Sequence, residues 1–228
     1  KRACPDRCAA ALRMAVCFCA QKAEKNLELY GKMCYTNTNS GRRGRAQARE
    51  DEKIMFRGAV RGDLAQILKI YARAREFMAE NGNPTQWGDG YPTPELLAED
   101  IDTNRLFVYM VNGRMQAVFA FILGPDPTYN VIEDGQWLND TLPYGTIHRM
   151  ASAGENKGIG KKVIEWCLEH CESLRADTHA DNKIMQHLLE SNGFTRCGII
   201  HVADGTPRIA YQRMSLTQNQ SFYSNSTF

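Results

Sequence analysis

The chain has 228 residues, 43% of them hydrophobic and 24% charged, with a formal net charge of +2. That is the balance of a soluble globular protein, long enough for one domain with an appendage. So small a charge gives no reason to expect a nucleic-acid partner, and no stretch approaches the roughly 18 to 20 apolar residues of a membrane span.

The charge is unevenly spread. Residues 1–53 hold 12 Lys+Arg against 6 Asp+Glu, whereas residues 54–228 hold 16 against 20. Five of the eight cysteines (Cys4, Cys8, Cys17, Cys19 and Cys34) also lie in that first quarter. Their spacing does not make the two pairs of a zinc site, so no metal is expected. Cys167, Cys171 and Cys197 fall on predicted core elements and read as small buried hydrophobes. The expectation for 1–53 is a basic, Cys-containing extension, disordered or not native, ahead of a start at Met55. The rival reading makes this arm a nucleic-acid contact.

One folded domain is expected over 54–216, followed by a polar, disordered tail over 217–228. Residues 55–60 predict a first strand. Asp63 reads as the cap of a helix striped by Leu64, Ile67, Leu68, Tyr71 and Met78, which Asn81-Gly82 ends. Thr93-Pro94 is a second helix start, a cap with proline at the first helical position. Residues 105–111 and 114–123 predict strands joined by Asn112-Gly113, the strongest short hairpin signal. A loop rich in Pro, Asp and aromatics over 124–144 leads to a strand around residues 147–151. Gly158-Ile159-Gly160 then opens an amphipathic helix. A strand over 174–178, a helix opened by Asp181-Asn182 and closed by Asn192-Gly193-Phe194, and two strands over 195–202 and 208–214 complete the order. Helices interleaved with strands in this way predict an α/β layer structure with one core.

Two glycines one residue apart at a helix start leave unpaired N–H groups and the positive end of the helix dipole facing any ligand there. A phosphate is the natural occupant. A P-loop is excluded, because Glu155 stands where its first Gly belongs and Lys162 where its hydroxyl belongs. A dinucleotide fingerprint is a poor fit, with Val163 at the third glycine.

Residues 155–160, the Asn182 helix start and the Gly193-Phe194 end resemble the Gcn5-related N-acetyltransferase (GNAT) family. Glu155 departs from its usual Gln or Arg. The resemblance covers about residues 55–215. It implies the acyl-CoA N-acyltransferase fold, a mixed and mostly antiparallel central sheet with flanking helices. It further implies acetyl-CoA as co-substrate and direct attack of a primary amine, on a small molecule or a protein, on the thioester. In that scheme the amides of Lys157, Gly158, Ile159, Gly160 and Lys161 hold the diphosphate, with the side chains of Lys157 and Lys161 adding positive charge. Met150, Ala151 and Ser152 pair with the pantetheine arm like an added strand. Asn182 either contacts the CoA moiety or only caps its helix.

An amine of pKa near 10.4 must lose a proton before it attacks, so a base is expected. His148, on the strand flanking the thioester, is one candidate. Asp177 is another, or it holds the acceptor's ammonium group; a structural role is the alternative for each. The tyrosine that serves many relatives as general acid is replaced by Leu189, which leaves Tyr211, Thr178 or water. The acceptor pocket is expected from loop residues Trp87, Tyr91 and Trp137, with Asp89, Glu133 or Asp134 attracting a cation. A catalytically silent acyl-CoA sensor is the rival role for the same cleft. The expected location is the cytoplasm, with no membrane partner, and a homodimer is left open.

Overall fold

A computed structural model describes residues 53–215. The expectations for the basic arm, its cysteines and the polar tail lie outside the described residues. Within them the order is β1 (Ile54–Gly58), α1 (Leu64–Glu80), α2 (Pro94–Asp102), β2 (Leu106–Val111), β3 (Arg114–Leu123), β4 (Gly145–Ser152), α3 (Ile159–Leu168), β5 (Ser173–Thr178), α4 (Lys183–Ser191), β6 (Thr195–His201) and β7 (Pro207–Met214). Short 3-10 turns at Arg61–Asp63 and Pro127–Tyr129 complete it. The seven strands form one sheet in the order β1-β2-β3-β4-β5-β7-β6. Every pair is antiparallel except β4 with β5. This is the mixed, mostly antiparallel α/β sheet expected from the sequence.

Both faces of the sheet are covered. Alternation sends Leu106, Val108, Met110, Val118 and Ala120 into a core with Ile67, Ile70 and Tyr71 of α1 and Leu97 and Ile101 of α2. Their neighbours Phe107, Phe119 and Phe121 point the other way and surround Trp166 of α3 at ring-centroid distances of 5.1, 5.7 and 5.9 Å. Six consecutive buried residues in β2 are what a strand packed on both faces requires.

The capping signals resolve differently at the two helix starts. Thr93 accepts the Leu96 N–H at 3.2 Å, with Pro94 following it, as the sequence predicts. Asp63 precedes α1 but spends its carboxylate backwards. It takes the Val60 N–H at 2.8 Å and both arms of the Arg57 guanidinium at 2.6 and 2.9 Å. That paired hydrogen bond holds the Asp63 carboxyl below the usual carboxylate range despite partial burial.

Loop 124–144 is not a loose connection. Tyr129 and Trp137 drop from it into a second cluster with Cys197, Ile200 and Ala210. The three described cysteines carry no disulfide, and burial pushes all three thiols up, Cys171 to about 12. Among the described residues no helix is long and apolar enough to cross a membrane.

Candidate active site

The site begins with a break in the sheet. β4 and β5 pair only through Gly145, Thr146 and Ile147 against Leu174, Arg175 and Ala176, and beyond that they part. The cause lies on the other edge of β4. Ala120 pairs with His148 and Val118 with Ala151, so Phe119 alone faces both Arg149 and Met150. This bulge turns β4 away from its parallel neighbour. Arg149 carries the strain, with φ of 53°. Three neighbours hold it there: Tyr71 donates its hydroxyl to the Arg149 carbonyl at 2.8 Å, Asp100 binds the guanidinium at 2.6 Å, and the Tyr91 hydroxyl lies 3.5 Å away.

The gap widens into a cleft of about 930 Å³. Met150, Ala151 and Ser152 line one wall, and among the described residues no strand pairs with their outer backbone edge. Gly158, at φ of 76°, turns the chain into α3, a conformation that suits glycine. The N–H groups of Ile159, Gly160 and Lys161 then precede the first helical partner bond, Lys162 N–H to the Gly158 carbonyl. Gly160 has a second role. A Cβ there would sit 2.6 Å from Cδ2 of Leu188, so its bareness lets α4 close on the start of α3. Ile159, Gly160, Leu188 and Leu189 all line the cleft. The ammonium groups expected beside the diphosphate do not. Lys157 is exposed, and Lys161 leans on Glu165 at 3.7 Å with 63% of its side chain in solvent. Exposed Arg73 of α1 does line the cleft, beside Gly154.

Strand register sorts the cleft into two sides. His148 stands opposite Ala120 of the α1 core, and Asp177 opposite Ala210 of the Tyr129 cluster. Ile147 stands opposite Phe121, and Ala176 opposite Tyr211, whose hydroxyl reaches Glu190 of α4 at 3.0 Å. Ile147, Ala176 and Thr178 therefore face α3 and α4, while His148 and Asp177 face the other way. Of the candidate acids, Tyr211 is thereby removed: burial and Glu190 push its hydroxyl up to about 12, outside the cleft. Thr178 stays. It is fully buried, lines the cleft, and its hydroxyl has no hydrogen-bond partner among the described residues. Leu189, at the position of the tyrosine that serves many relatives as general acid, also lines the cleft.

His148 is brought between two carboxylates. Its Nε2 lies 2.8 Å from Asp126 Oδ2, and its Nδ1 lies 3.7 Å from Asp177 Oδ1. Tyr129 donates its hydroxyl to that same Asp177 oxygen at 2.8 Å. Burial alone would raise the Asp126 carboxyl. Hydrogen bonds from His148 and Thr128, with the imidazole charge, instead lower it to about 2. Burial and the Asp177 charge push the Tyr129 hydroxyl well up, which keeps it a donor. Asp126 and Tyr129 went unread in the sequence. A carboxylate in a Pro-rich loop, 22 residues before its imidazole partner, leaves no local signal.

The acceptor residues divide. Trp87 and Tyr91 line the cleft and pack with Tyr71 as a run of rings, at centroid separations of 5.7 and 6.5 Å. Trp137 does not reach it. Its ring stacks under Arg175 at 4.0 Å, its Nε1 donates to the Tyr129 carbonyl at 3.2 Å, and it is 7% exposed. A buried guanidinium needs such a face, and Trp137 supplies it. Asp89, Glu133 and Asp134 are exposed and also stay outside the cleft, where Asp126, Asp177 and Asp204 are the acids among the described residues. Asn182 caps α4, accepting the Met185 N–H at 3.0 Å, and donates its amide to Gln86 at 2.9 Å. Gln86 also accepts from Asn83 at 2.8 Å, so loop 83–91 is tied across the cleft to α4. Glu155, the departure from the family loop, accepts from Gln116 of β3 at 2.9 Å and anchors the turn rather than facing the cleft.

A GNAT-family acetyltransferase structure from Streptococcus agalactiae matches with a TM-score of 0.64 at 30% identity, covering 72% of this chain and 96% of that one. An acetyltransferase structure from Staphylococcus aureus matches at 0.52 and 24% identity, over 70% and 97% of the two chains. A GNAT-family structure from Listeria monocytogenes shares the fold at 0.55 and 16% identity, over 74% and 98%. No protein-family model and no curated protein matches the chain. The chain belongs to the GNAT family of acetyltransferases.

Proposed function

We propose that the domain over 54–216 moves an acetyl group from acetyl-CoA to a primary amine, with the two reactants meeting through the opening between β4 and β5. The observation that carries this reading is the splay itself, which exposes one backbone edge of β4 beside the bare N–H groups of α3. Acetyl-CoA lies on the α3/α4 side. Its diphosphate takes the amides at Gly158, Ile159, Gly160 and Lys161, with the amide of Lys157 just before them and Arg73 adding positive charge. Its pantetheine arm runs along Met150, Ala151 and Ser152, and Asn182 borders it while capping α4.

The acceptor lies on the opposite side, against Trp87 and Tyr91. Deprotonating a lysine-like amine at neutral pH costs about 4–5 kcal/mol at roughly 1.4 per pKa unit. His148 takes that proton, held in place by Asp126, while Asp177 orients the imidazole and attracts the ammonium. The amine nitrogen forms its bond to the acetyl carbon as the carbon–sulphur bond breaks. Thr178 or a water donates a hydrogen bond to the departing sulphur, which takes up the second proton that the acetylated nitrogen releases, while His148 passes the first to solvent. A cytoplasmic location is part of this reading, and a small-molecule or a protein amine fits it equally.

Thiol release from acetyl-CoA, followed with a panel of amines, tests it. Amine-dependent release that falls at least 100-fold in His148→Gln supports the assignment. Binding of acetyl-CoA without any turnover assigns the cleft to sensing instead, the role that Leu189 in place of a proton donor favours.

A further inference from the structure

On the acceptor side of the cleft lies a cation that the reaction does not use. Arg208 is 8% exposed and lines the cleft. Among the described residues its guanidinium makes one hydrogen bond, Nη1 to the Pro207 carbonyl at 3.1 Å, and has no carboxylate within 4.0 Å. The other deeply placed arginines are matched. Arg149 holds Asp100 at 2.6 Å, and Arg175 holds Asp140 at 2.8 Å between two aromatic faces. A guanidinium cannot shed its charge, so one left unpaired at this depth is costly unless an anion completes it.

Register shows which side it serves. Asp177 pairs with Ala210, and Arg208 is two residues earlier on β7. Arg208 therefore emerges on the same sheet face as Asp177, at a diagonal position about 7–8 Å away between Cα atoms. That is the face of His148 and the acceptor, not the face of α3 and α4. The acids nearby are already engaged. Asp126 is bonded to His148 and Asp177 to Tyr129, while Asp204, which also lines the cleft, is exposed, accepts the Thr206 N–H at 2.8 Å and feels the Arg208 charge without forming an ion pair with it.

We infer that Arg208 is the specificity residue for the acceptor and binds a carboxylate on it, so that the substrate class is amino acids or similar amines bearing a carboxylate. The inference rests on the acetyl-transfer reading above. The acceptor's amine sits at His148 and Asp177, and its carboxylate takes the free edge of the guanidinium. The planar fork of that group matches a carboxylate in two parallel hydrogen bonds. An acceptor lacking the anion leaves the buried Arg208 guanidinium with no carboxylate bonded to it, which is the situation in which sites discriminate strongly.

The test compares α- and ω-amino acids with their own primary amides by thiol release from acetyl-CoA. The expected result is a preference for at least one acid over its amide of tenfold or more in kcat/KM. In Arg208→Gln that ratio falls toward one, and in Arg208→Lys it falls partway. The acid-to-amide ratio in the unaltered protein stands even if a variant is unstable, and thermal melting identifies such a variant. Equal turnover of acids and amides overturns the role of Arg208 alone, as does a ratio untouched by Arg208→Gln. A preference for an amine phosphomonoester over every acid overturns the carboxylate. No turnover with any amine and no heat with acetyl-CoA overturns the acetyl-transfer reading and this inference together.

Discussion

His148 Nε2 lies 2.8 Å from Asp126 Oδ2, a contact that ties strand β4 back to the start of the loop over 124–144. The pair orients the imidazole of a strand residue beside the β4 bulge, on the side of the cleft where the proposed acceptor lies. Removing the imidazole in His148→Gln is expected to lower kcat by about 10²–10⁴-fold, the usual contribution of a positioned acid–base group. Asp126→Asn keeps the shape but not the charge and is expected to cost less, with a shifted pH profile. Steady-state kinetics across pH 6–10 checks both. An unchanged profile in Asp126→Asn contradicts the pairing.

The same contact predicts a pH dependence of stability. Asp126 is lowered to about 2 in the folded chain, from an ordinary value of 3.8. A depressed carboxyl binds its proton more readily when unfolded. Its stabilisation is therefore complete above about pH 5 and is lost as pH falls through 4 toward 2. Denaturant melts at pH 6, 4 and 3 should show the unaltered protein losing about 1–2 kcal/mol more than Asp126→Asn over that range. Parallel losses contradict it.

Gly160 and Leu188 form the contact that seats α4 on α3. Gly160→Ala places a methyl group 2.6 Å from the Leu188 side chain. It is expected to cost about 1–3 kcal/mol as an overpacked site. Adding Leu188→Ala should recover part of that loss, which a double-mutant cycle reads directly. Gly158→Ala meets no neighbour, so its cost is the strain of φ at 76°, about 1 kcal/mol, with no rescue by Leu188→Ala.

Trp87 and Trp137 should separate by phenotype. Trp137 is buried against Arg175 and Tyr129, and Trp137→Ala is expected to destabilise by about 3–5 kcal/mol. Trp87 lines the cleft, and Trp87→Ala should raise the acceptor KM with a smaller loss of stability. Melting curves and acceptor kinetics on the two variants decide it.

The fold was largely legible because its signals are local. The Asn112-Gly113 turn and the Thr93-Pro94 start each act within a few residues, and the structure realises both. The catalytic surroundings were legible only in part, because they are built by register and long loops. Nothing near Arg149 announces a bulge, since Phe119 across the sheet makes it. Asp126 and Tyr129 reach the site because Trp137 and Tyr144 bracket Arg175 and pin their loop to the sheet. The same packing removed Trp137 from the acceptor pocket. An aromatic residue in a loop reads alike whether it faces a ligand or a buried guanidinium.

Amide hydrogen exchange on residues 53–215, with and without acetyl-CoA, tests the central assignment most directly. Slowed exchange concentrated at 150–152 and 157–161, and weakened in Gly158→Ala, is the predicted result. Binding that leaves those amides unprotected, or protects a different face of the sheet, would contradict it.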